Sequence, residues 1–413
     1  MQNRKAGLVF IFITLLIDVL GFGIVIPVMP KLVADLAGGS PAKSAHLYGL
    51  LLSVFGLMQF LFAPILGRLS DRFGRRPILL VSLLFTSVEY VILATAPSVG
   101  WLFFGRVLTG ITGASFTAAS AYIADISPPE KRAQNFGLIG AAFGIGFIIG
   151  PAVGGLLGAH SARAPFWAAA ALSLVNGVYG LCVLPESLAL EYRRAFTLAS
   201  ANPLNGLSIL TRYPWVRLMA FSIALLAVAH SALQSTWVLY TTYRYHWTAL
   251  DNGLSLALIG LVSGLVQVVL TRVLVARIGE RRAVLWGLFF DFAGYLGFAL
   301  AFRGWMALAV IAVWGLSGVA GPATQSLISS QYGPQEQGAV QGALTSLQSL
   351  VGIGGPLLAT WSFGYFTSPA APILLPGAPY FLGAVLIAIS TALAYQALRR
   401  QQAQPPALWD APA

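Results

Sequence analysis

Apolar residues in this chain gather into runs much longer than a soluble helix or strand requires. Twelve such runs, each closed by charge, proline or glycine, cover 7–29, 46–66, 78–96, 99–124, 134–158, 164–184, 214–241, 250–275, 282–302, 304–329, 337–366 and 379–398. A helix of about 20 apolar residues crosses the hydrocarbon of a bilayer. The runs lack the strict alternation of barrel strands, and an isolated apolar segment satisfies its own backbone in lipid only as a helix. The pattern predicts an all-α polytopic membrane protein with twelve transmembrane helices. Arg4 and Lys5 precede the first run, as in a signal peptide. That run is too long for a signal's apolar core, carries Asp18 in its middle and lacks a small-x-small cleavage site, so it reads as span one.

Composition agrees. Of 413 residues, 57% are hydrophobic and 9% charged, with a mean hydropathy of +0.80. Soluble domains carry about 25% charged residues, so a soluble enzyme, a disulfide scaffold and a disordered chain are excluded. The net charge of +11 sits in short clusters between apolar runs, without the basic-aromatic interleaving of a nucleic-acid surface. Alternate connections hold eighteen and five Lys or Arg residues, with Arg106 inside span four. The positive-inside rule then predicts both termini in the cytoplasm. Cys182 is the single cysteine, so there is no disulfide framework, and it reads as a small apolar position in a helix.

The connection 185–213, with Pro185, Glu191, Arg193, Arg194, Pro203 and the flanking Pro214, divides the spans into two sets of six. The expected organisation is an N-terminal six-helix bundle over 1–184, a cytoplasmic linker over 185–213, a C-terminal bundle over 214–398 and a cytoplasmic tail over 399–413. An internal repeat supports the division. An offset of 205 lays Arg72-Phe-Gly-Arg on Arg277-Ile-Gly-Glu, Gly110 and Gly113 on Gly315 and Gly318, Pro129 on Pro334, Gly137 on Gly342, and Gly150-Pro151 on Gly355-Pro356. Parallel six-span repeats mark one transporter architecture, with the substrate cavity at the repeat interface near the bilayer midplane.

Ionisable groups deep in a span are costly, about 2.5–3.5 kcal/mol each on insertion scales. This chain has Asp18 in span one, Glu89 in span three, Arg106 in span four, His230 in span seven and Asp291 in span nine. Each is either a structural ion pair or part of a polar transport cavity; five from both halves favour the cavity. Helical spacing adds polar stripes: Ser82, Thr86 and Glu89; His230, Gln234 and Trp237; Gln341, Thr345 and Gln348; the pair Ser263 and Gln267; and Asp291 with Tyr295. Such stripes line cavities or bind helices together. Removing a carboxylate from water penalises its ionised form, so a proton and a cationic substrate compete for it. That competition is the simplest basis for antiport. Outside the spans, His46, His160 and His246 read as solvated, and no nucleotide loop or metal-ligand cluster points to an enzyme.

Three motifs narrow the reading. After span two comes Gly67-Arg-Leu-Ser-Asp71-Arg72-Phe-Gly74-Arg75-Arg76-Pro77, which resembles the G-x-L-x-D-R-x-G-R-R signature of the major facilitator superfamily. The glycines permit a tight turn. Asp71 can meet a helix N-terminus, and Arg72, Arg75 and Arg76 can reach carboxylates at helix ends, such as Asp125. The resemblance implies a latch in the conformational cycle. Gly105-Arg106-Val-Leu-Thr-Gly110 in span four is similar to the superfamily's R-x-x-x-G motif, whose arginine is linked to proton coupling. In span five, Gly144-Ile-Gly146-Phe-Ile-Ile-Gly150-Pro151-Ala-Val-Gly154-Gly155 resembles the motif of drug antiporters, and its small-residue groove is suited to a gate or to plain close packing.

Leu15 to Pro30 with Asp18, Met58-Gln59, Ala63-Pro64, Ile139 to Gly155, Asp291 and Gln341-Gly342 further resemble the tetracycline/proton antiporter family along nearly the whole chain. The resemblance implies a major facilitator fold. It makes Asp18, Glu89 and Asp291 the membrane carboxylates, with Arg106 in proton coupling and Gln59 beside the site. It also implies export of tetracycline as a divalent-metal chelate, a monocation, in exchange for a proton. Two departures stand out. Glu89 occupies an aspartate position, and Ser263 aligns with the family's span-eight histidine, whereas the intramembrane histidine here is His230 in span seven. The expected substrate contacts are Gln59, His230, Gln234, Trp237, Ser263, Gln267 and Gln341. No cofactor or resident metal is expected; a proton gradient supplies energy, and Mg²⁺ or another divalent cation travels with the drug. The chain is expected to act as a monomer in a bacterial inner membrane. The rival readings are a multidrug or metabolite exporter, a nutrient symporter and a non-transporting membrane sensor.

Overall fold

The computed structural model describes residues 2–113, 115–193, 207–333 and 336–402. Arg194, Pro203, Pro334, the rest of the linker segment 194–206 and the tail segment 403–413 lie outside the described residues. Among the described residues, twelve helices are long and apolar enough to cross a membrane. They are Gly7–Val25, Pro41–Phe73, Arg75–Thr95, Val99–Ile126, Asn135–His160 and Ala164–Val183, then Pro214–Tyr245, Ala249–Ile278, Glu280–Leu300, Gly304–Ser329, Ala339–Phe366 and Ala378–Gln402, numbered one to twelve in that order.

Several boundaries differ from the apolar runs. Span one stops at Val25 rather than at residue 29, and a separate nine-residue helix, Met29–Ala37, begins with Pro30 in its first turn. Proline favours a helix start, where its missing N–H costs nothing. Span two extends well beyond its apolar run to Pro41–Phe73, because Ser40 caps its start by accepting from the Lys43 amide. Three spans are interrupted. Span four breaks between Thr112 and Ser115 at Gly113, and span ten passes through a 3₁₀ turn at Leu316–Val319. Span eight contains a π turn, Val266–Leu270, which carries Gln267.

The chain divides into two compact units, Met1–Asn202 with Trp247–Gly260, and Pro203–His246 with Leu261–Ala413. Within the first, span one packs on spans five and six, span three on spans four and six, and span two on span four. Within the second, span seven packs on eleven and twelve, nine on ten and twelve, and eight on ten. The same pairings recur six spans later, so the offset repeat in sequence is a repeat in packing. The first part of span eight clusters with the first unit because glycine meets glycine there: a Cβ on Gly253 would lie 2.9 Å from the Gly155 Cα, and one on Gly260 3.0 Å from the Phe147 carbonyl.

Glycine also sets the span-five seam. Added Cβ atoms would stand 2.6 Å from Val19 at Gly146 and 2.9 Å from the Gly23 Cα at Gly150, and would collide with the Ile24 carbonyl at Gly154. Pro151 stays inside this helix, and a Cβ on Gly23 would lie 3.0 Å from its Cδ. The small-residue groove expected from the motif therefore receives span one. In the second unit Gly355 holds the matching place, with a would-be Cβ 2.6 Å from Ser231 on span seven. Ahead of span seven, the Tyr332 hydroxyl donates to the Ile209 carbonyl at 2.7 Å, and burial pushes that phenol up to about 12, so it stays a donor.

Replacing Gly154 with valine is expected to destabilise the protein by about 1–3 kcal/mol through overpacking. Gly137→Val on the same helix, where nothing lies within 4 Å, should be near neutral. Thermal unfolding of the two variants in detergent checks the contrast.

Candidate functional site

The first unit places two opposite charges in its interior. Glu89 on span three is 1% exposed and Arg106 on span four 7%. The Arg106 Nη1 lies 3.4 Å from Glu89 Oε1, close enough for an ion pair. Yet neither Glu89 Oε1 nor Arg106 Nε has a hydrogen-bond partner of good geometry. Across the pair itself charge therefore counts for more than directed bonds, while the Thr109 side chain supplies Glu89 with a hydrogen bond. The guanidinium also stands 5.8 Å from the Phe55 ring centre on span two. One turn on, Gly110 meets Met58 and the Gln59 amide, and a Cβ on Gly113 would lie 4.0 Å from Gln59 Nε2, so Gln59 sits at the break in span four. Asp18 is half-buried on span one, and Tyr90 lies within electrostatic reach of Asp18, Glu89 and Arg106 together.

The second unit holds its own pair. Asp291 on span nine, 2% exposed, is 2.9 Å from the His230 Nε2 through Oδ2. Its Oδ1 accepts from the Trp314 Nε1 on span ten at 2.8 Å. When the carboxylate is ionised it only accepts, and Nε2 then carries the hydrogen of the His230 contact. Tyr295, one turn from Asp291, stacks on the His230 ring at 6.1 Å and donates to the Ala229 carbonyl at 2.7 Å. The His230 side chain is 38% exposed while the Asp291 side chain is 3% exposed. The imidazole therefore links an open surface to a closed carboxylate.

Other candidates stand elsewhere. Gln234 is exposed, whereas Trp237 is buried at 1% with its ring edge-on to Phe298 at 5.1 Å, so the stripe through His230 does not lie on one open face. Trp237 builds core because its neighbours on span nine are aromatic. Ser263 is half-buried and Gln267 exposed in the π turn, which offsets the two from simple i, i+4 register. Gln341 lies near the start of span eleven, accepting from Gln325 at 2.6 Å and donating to Ser329 at 3.1 Å, in a network at the end of span ten. A cleft of about 450 Å³ at the turn into span nine is lined by Glu280, Arg281 and Arg282 and includes none of the candidate residues.

The signature turn is assembled around Arg75. Its guanidinium reaches Asp71 at 2.6 Å, Asp125 at 3.1 Å and Ser70 at 2.6 Å. Arg76 donates to the Leu181 carbonyl at 2.8 Å, and Arg72 lies exposed with its charge 5.1 Å from the Phe73 ring. So Arg75 makes the expected contact with Asp125. Gly67 faces Thr117, 3.6 Å from a would-be Cβ. Gly74 has φ +106, and its repeat mate Gly279 has φ +79, a conformation that favours glycine. Glu186, just beyond span six, is the part that sequence reasoning missed. Its carboxylate accepts from the amides of Arg75 at 2.8 Å, Arg76 at 3.3 Å, Ser187 at 3.0 Å and Leu188 at 3.1 Å, capping the start of span three. Ser187 adds a bond to Asp125 at 3.0 Å. The Pro185-Glu186-Ser187 stretch was the available signal, but it read as a loop. Trp314 was missed as well, since its ring scores as apolar.

Buried charge pairs in two repeated six-span units define a multi-span membrane transporter. A profile of the Major Facilitator Superfamily matches residues 11–356, and the chain belongs to that superfamily. It is 42% identical over 366 residues to the class C tetracycline resistance protein of Escherichia coli, covering 87% of this chain and 90% of that one. To multidrug resistance protein 2 of Bacillus subtilis (strain 168) it is 31% identical over 370 residues, covering 86% and 88%. The crystal structure of the human organic anion transporter MFSD10 (TETRAN) superposes with a TM-score of 0.71 at 26% identity, covering 95% of this chain and 99% of that one.

Removing Arg106 strands a buried carboxylate, so Arg106→Ala is expected to cost about 3–5 kcal/mol. The double variant Glu89→Gln, Arg106→Gln should recover most of that loss. Unfolding midpoints in detergent decide it.

Proposed function

We propose that this protein is a proton-coupled antiporter that exports tetracycline, as its chelate with a divalent cation, by alternating access in a bacterial inner membrane, with both termini in the cytoplasm. The chain works as a monomer, binds no cofactor of its own and draws on the proton gradient. The divalent metal is cargo. The observation that carries the reading is the Asp291 carboxylate held between His230 and Trp314, with one edge of the imidazole open. Ionised, Asp291 accepts from both rings and presents negative charge to a cation. Protonated, it loses its charge attraction for His230 and for a cationic drug. Proton and drug are thus mutually exclusive at one carboxylate, which is the requirement for exchange. Glu89 with Arg106, and Asp18, supply the corresponding groups of the first unit.

The departure at Ser263 fits this arrangement. A histidine titrates near neutral pH and a serine does not. His230 reaches Asp291 from span seven, so an imidazole is kept at the carboxylate although span eight lacks one. The likeness to the class C tetracycline resistance protein supports the substrate. The likeness to multidrug resistance protein 2 supports a second reading, a broad-specificity multidrug or metabolite exporter of the same fold.

In proteoliposomes with an imposed proton gradient, Asp291→Asn and Asp18→Asn are expected to abolish coupled efflux while remaining folded. Full gradient-driven efflux by either variant removes that residue from coupling. Adding tetracycline with Mg²⁺ to the purified protein should release protons into weak buffer, whereas ethidium should not. Equal release by ethidium favours the broader exporter. Asp71→Asn, which frees one arm of Arg75, should slow turnover and leave drug binding unchanged; binding titrations beside transport rates check this.

A further inference from the structure

Spans one and six face each other across a strip of buried polar groups that the charge pairs do not use. Asn176 donates from Nδ2 to the main-chain oxygen of Thr14 at 3.1 Å. Only the nitrogen can donate to a carbonyl, so this bond orients the amide and turns Oδ1 away, where no donor meets it. Thr14 Oγ1 and Ser173 Oγ also lack partners. Thr14, Ser173 and Asn176 are all at 0% exposure. Ser173 and Asn176 are one turn apart on span six. A Cβ on Gly21 would lie 3.7 Å from Ser173 Oγ and 3.5 Å from the Tyr90 hydroxyl. Thr14 and Gly21 flank Asp18 at i−4 and i+3, on one face of span one. Asp18 therefore stands between the two places where span one touches span six.

Three unmatched buried oxygens on two facing helices call for a partner, because each one carries a desolvation penalty. Two of these are hydroxyls in need of acceptors, and the third is an amide oxygen in need of a donor. Water supplies both, and polar pockets with two to four such groups are where buried water resides. We propose that the buried polar strip between spans one and six holds ordered water that hydrogen-bonds to Asp18 and passes protons to and from its carboxylate. On protonation, an O–H bond of a protonated water breaks, an O–H bond forms on Asp18, and neutral water remains; release is the reverse, with no change of oxidation state. Tyr90 on span three lies within electrostatic reach of Asp18, and also of Glu89 on its own helix and Arg106 on span four, so these are the titratable and charged groups that reach this end of the strip through Tyr90. Span five contributes glycine and apolar positions there, and span six contributes the neutral Ser173 and Asn176. The proposal rests on Asp18 exchanging protons during transport.

The test uses the full-length protein in proteoliposomes, with infrared difference spectra on a pH jump. Asp18→Asn identifies the protonated carboxyl band of Asp18. Thr14→Val and Ser173→Ala keep volume and remove one hydroxyl each. Each is expected to slow drug-driven proton flux about tenfold, the factor carried by one net hydrogen bond. Each should also move the Asp18 band to higher frequency and shift the pH profile of flux. Thr14→Ser, which restores a hydroxyl, should recover all three. If Asp18→Asn stops coupling but Thr14→Val and Ser173→Ala keep the parental flux, band and pH profile, the water pocket is wrong and the coupling role of Asp18 stands. If Asp18→Asn leaves coupling intact, that role fails, and the proposal fails with it. Flux that requires sodium ions in the parent protein, with the requirement lost in both variants, makes the pocket a cation site and overturns the proposal.

Discussion

A charge inside a bilayer must be answered at short range, and this constraint organises the interior of both units. Glu89 and Arg106 answer each other between spans three and four. Asp291 is answered from spans seven and ten. The two solutions differ in quality. The first has Coulomb attraction with poor hydrogen-bond geometry; the second has two well-aligned donors on one carboxylate. A low surrounding dielectric strengthens both attractions and makes any unpaired member costly. Each acid is therefore held close to a partner on a neighbouring span, and the two units reach this by different geometry.

Around these pairs the repeat supplies the scaffold. Span five closes on span one through Gly146, Gly150 and Gly154, and span eleven closes on span seven through Gly355. Interruptions fall at matching places in spans four and ten, where a Gly113 break answers a 3₁₀ turn. An interrupted helix leaves backbone groups unpaired, which lipid does not tolerate unless they are covered by protein. Span two covers the first, with Met58 and Gln59 against Gly110, and span eight covers the second, with Val262 against Gly315. Close approach and local irregularity thus come from the same small residues.

The spans were legible because length and hydropathy alone decide them, and the acids because charge inside an apolar run is conspicuous. Gly74 and Gly279 were legible as a repeat, and their positive φ values give the physical reason. Pairing across helices was not legible. Periodicity tells which face of span seven carries His230, but not that this face meets Asp291. The end of span one was misplaced because hydropathy continues through Val25-Ile-Pro-Val-Met, whereas proline geometry does not. Gln341 sat on a polar stripe, yet its partners are Gln325 and Ser329, since a stripe near a helix end meets other helix ends. Trp237 and Trp314 look alike in sequence and differ in role, because an indole's N–H is invisible to an apolar pattern.

Glu186 joins two helix ends through one side chain. Four main-chain amides converge on its one carboxylate, two from the start of span three and two from the chain leaving span six. Movement of that one side chain would release all four donors together, so the ends of spans three and six are coupled through a single point.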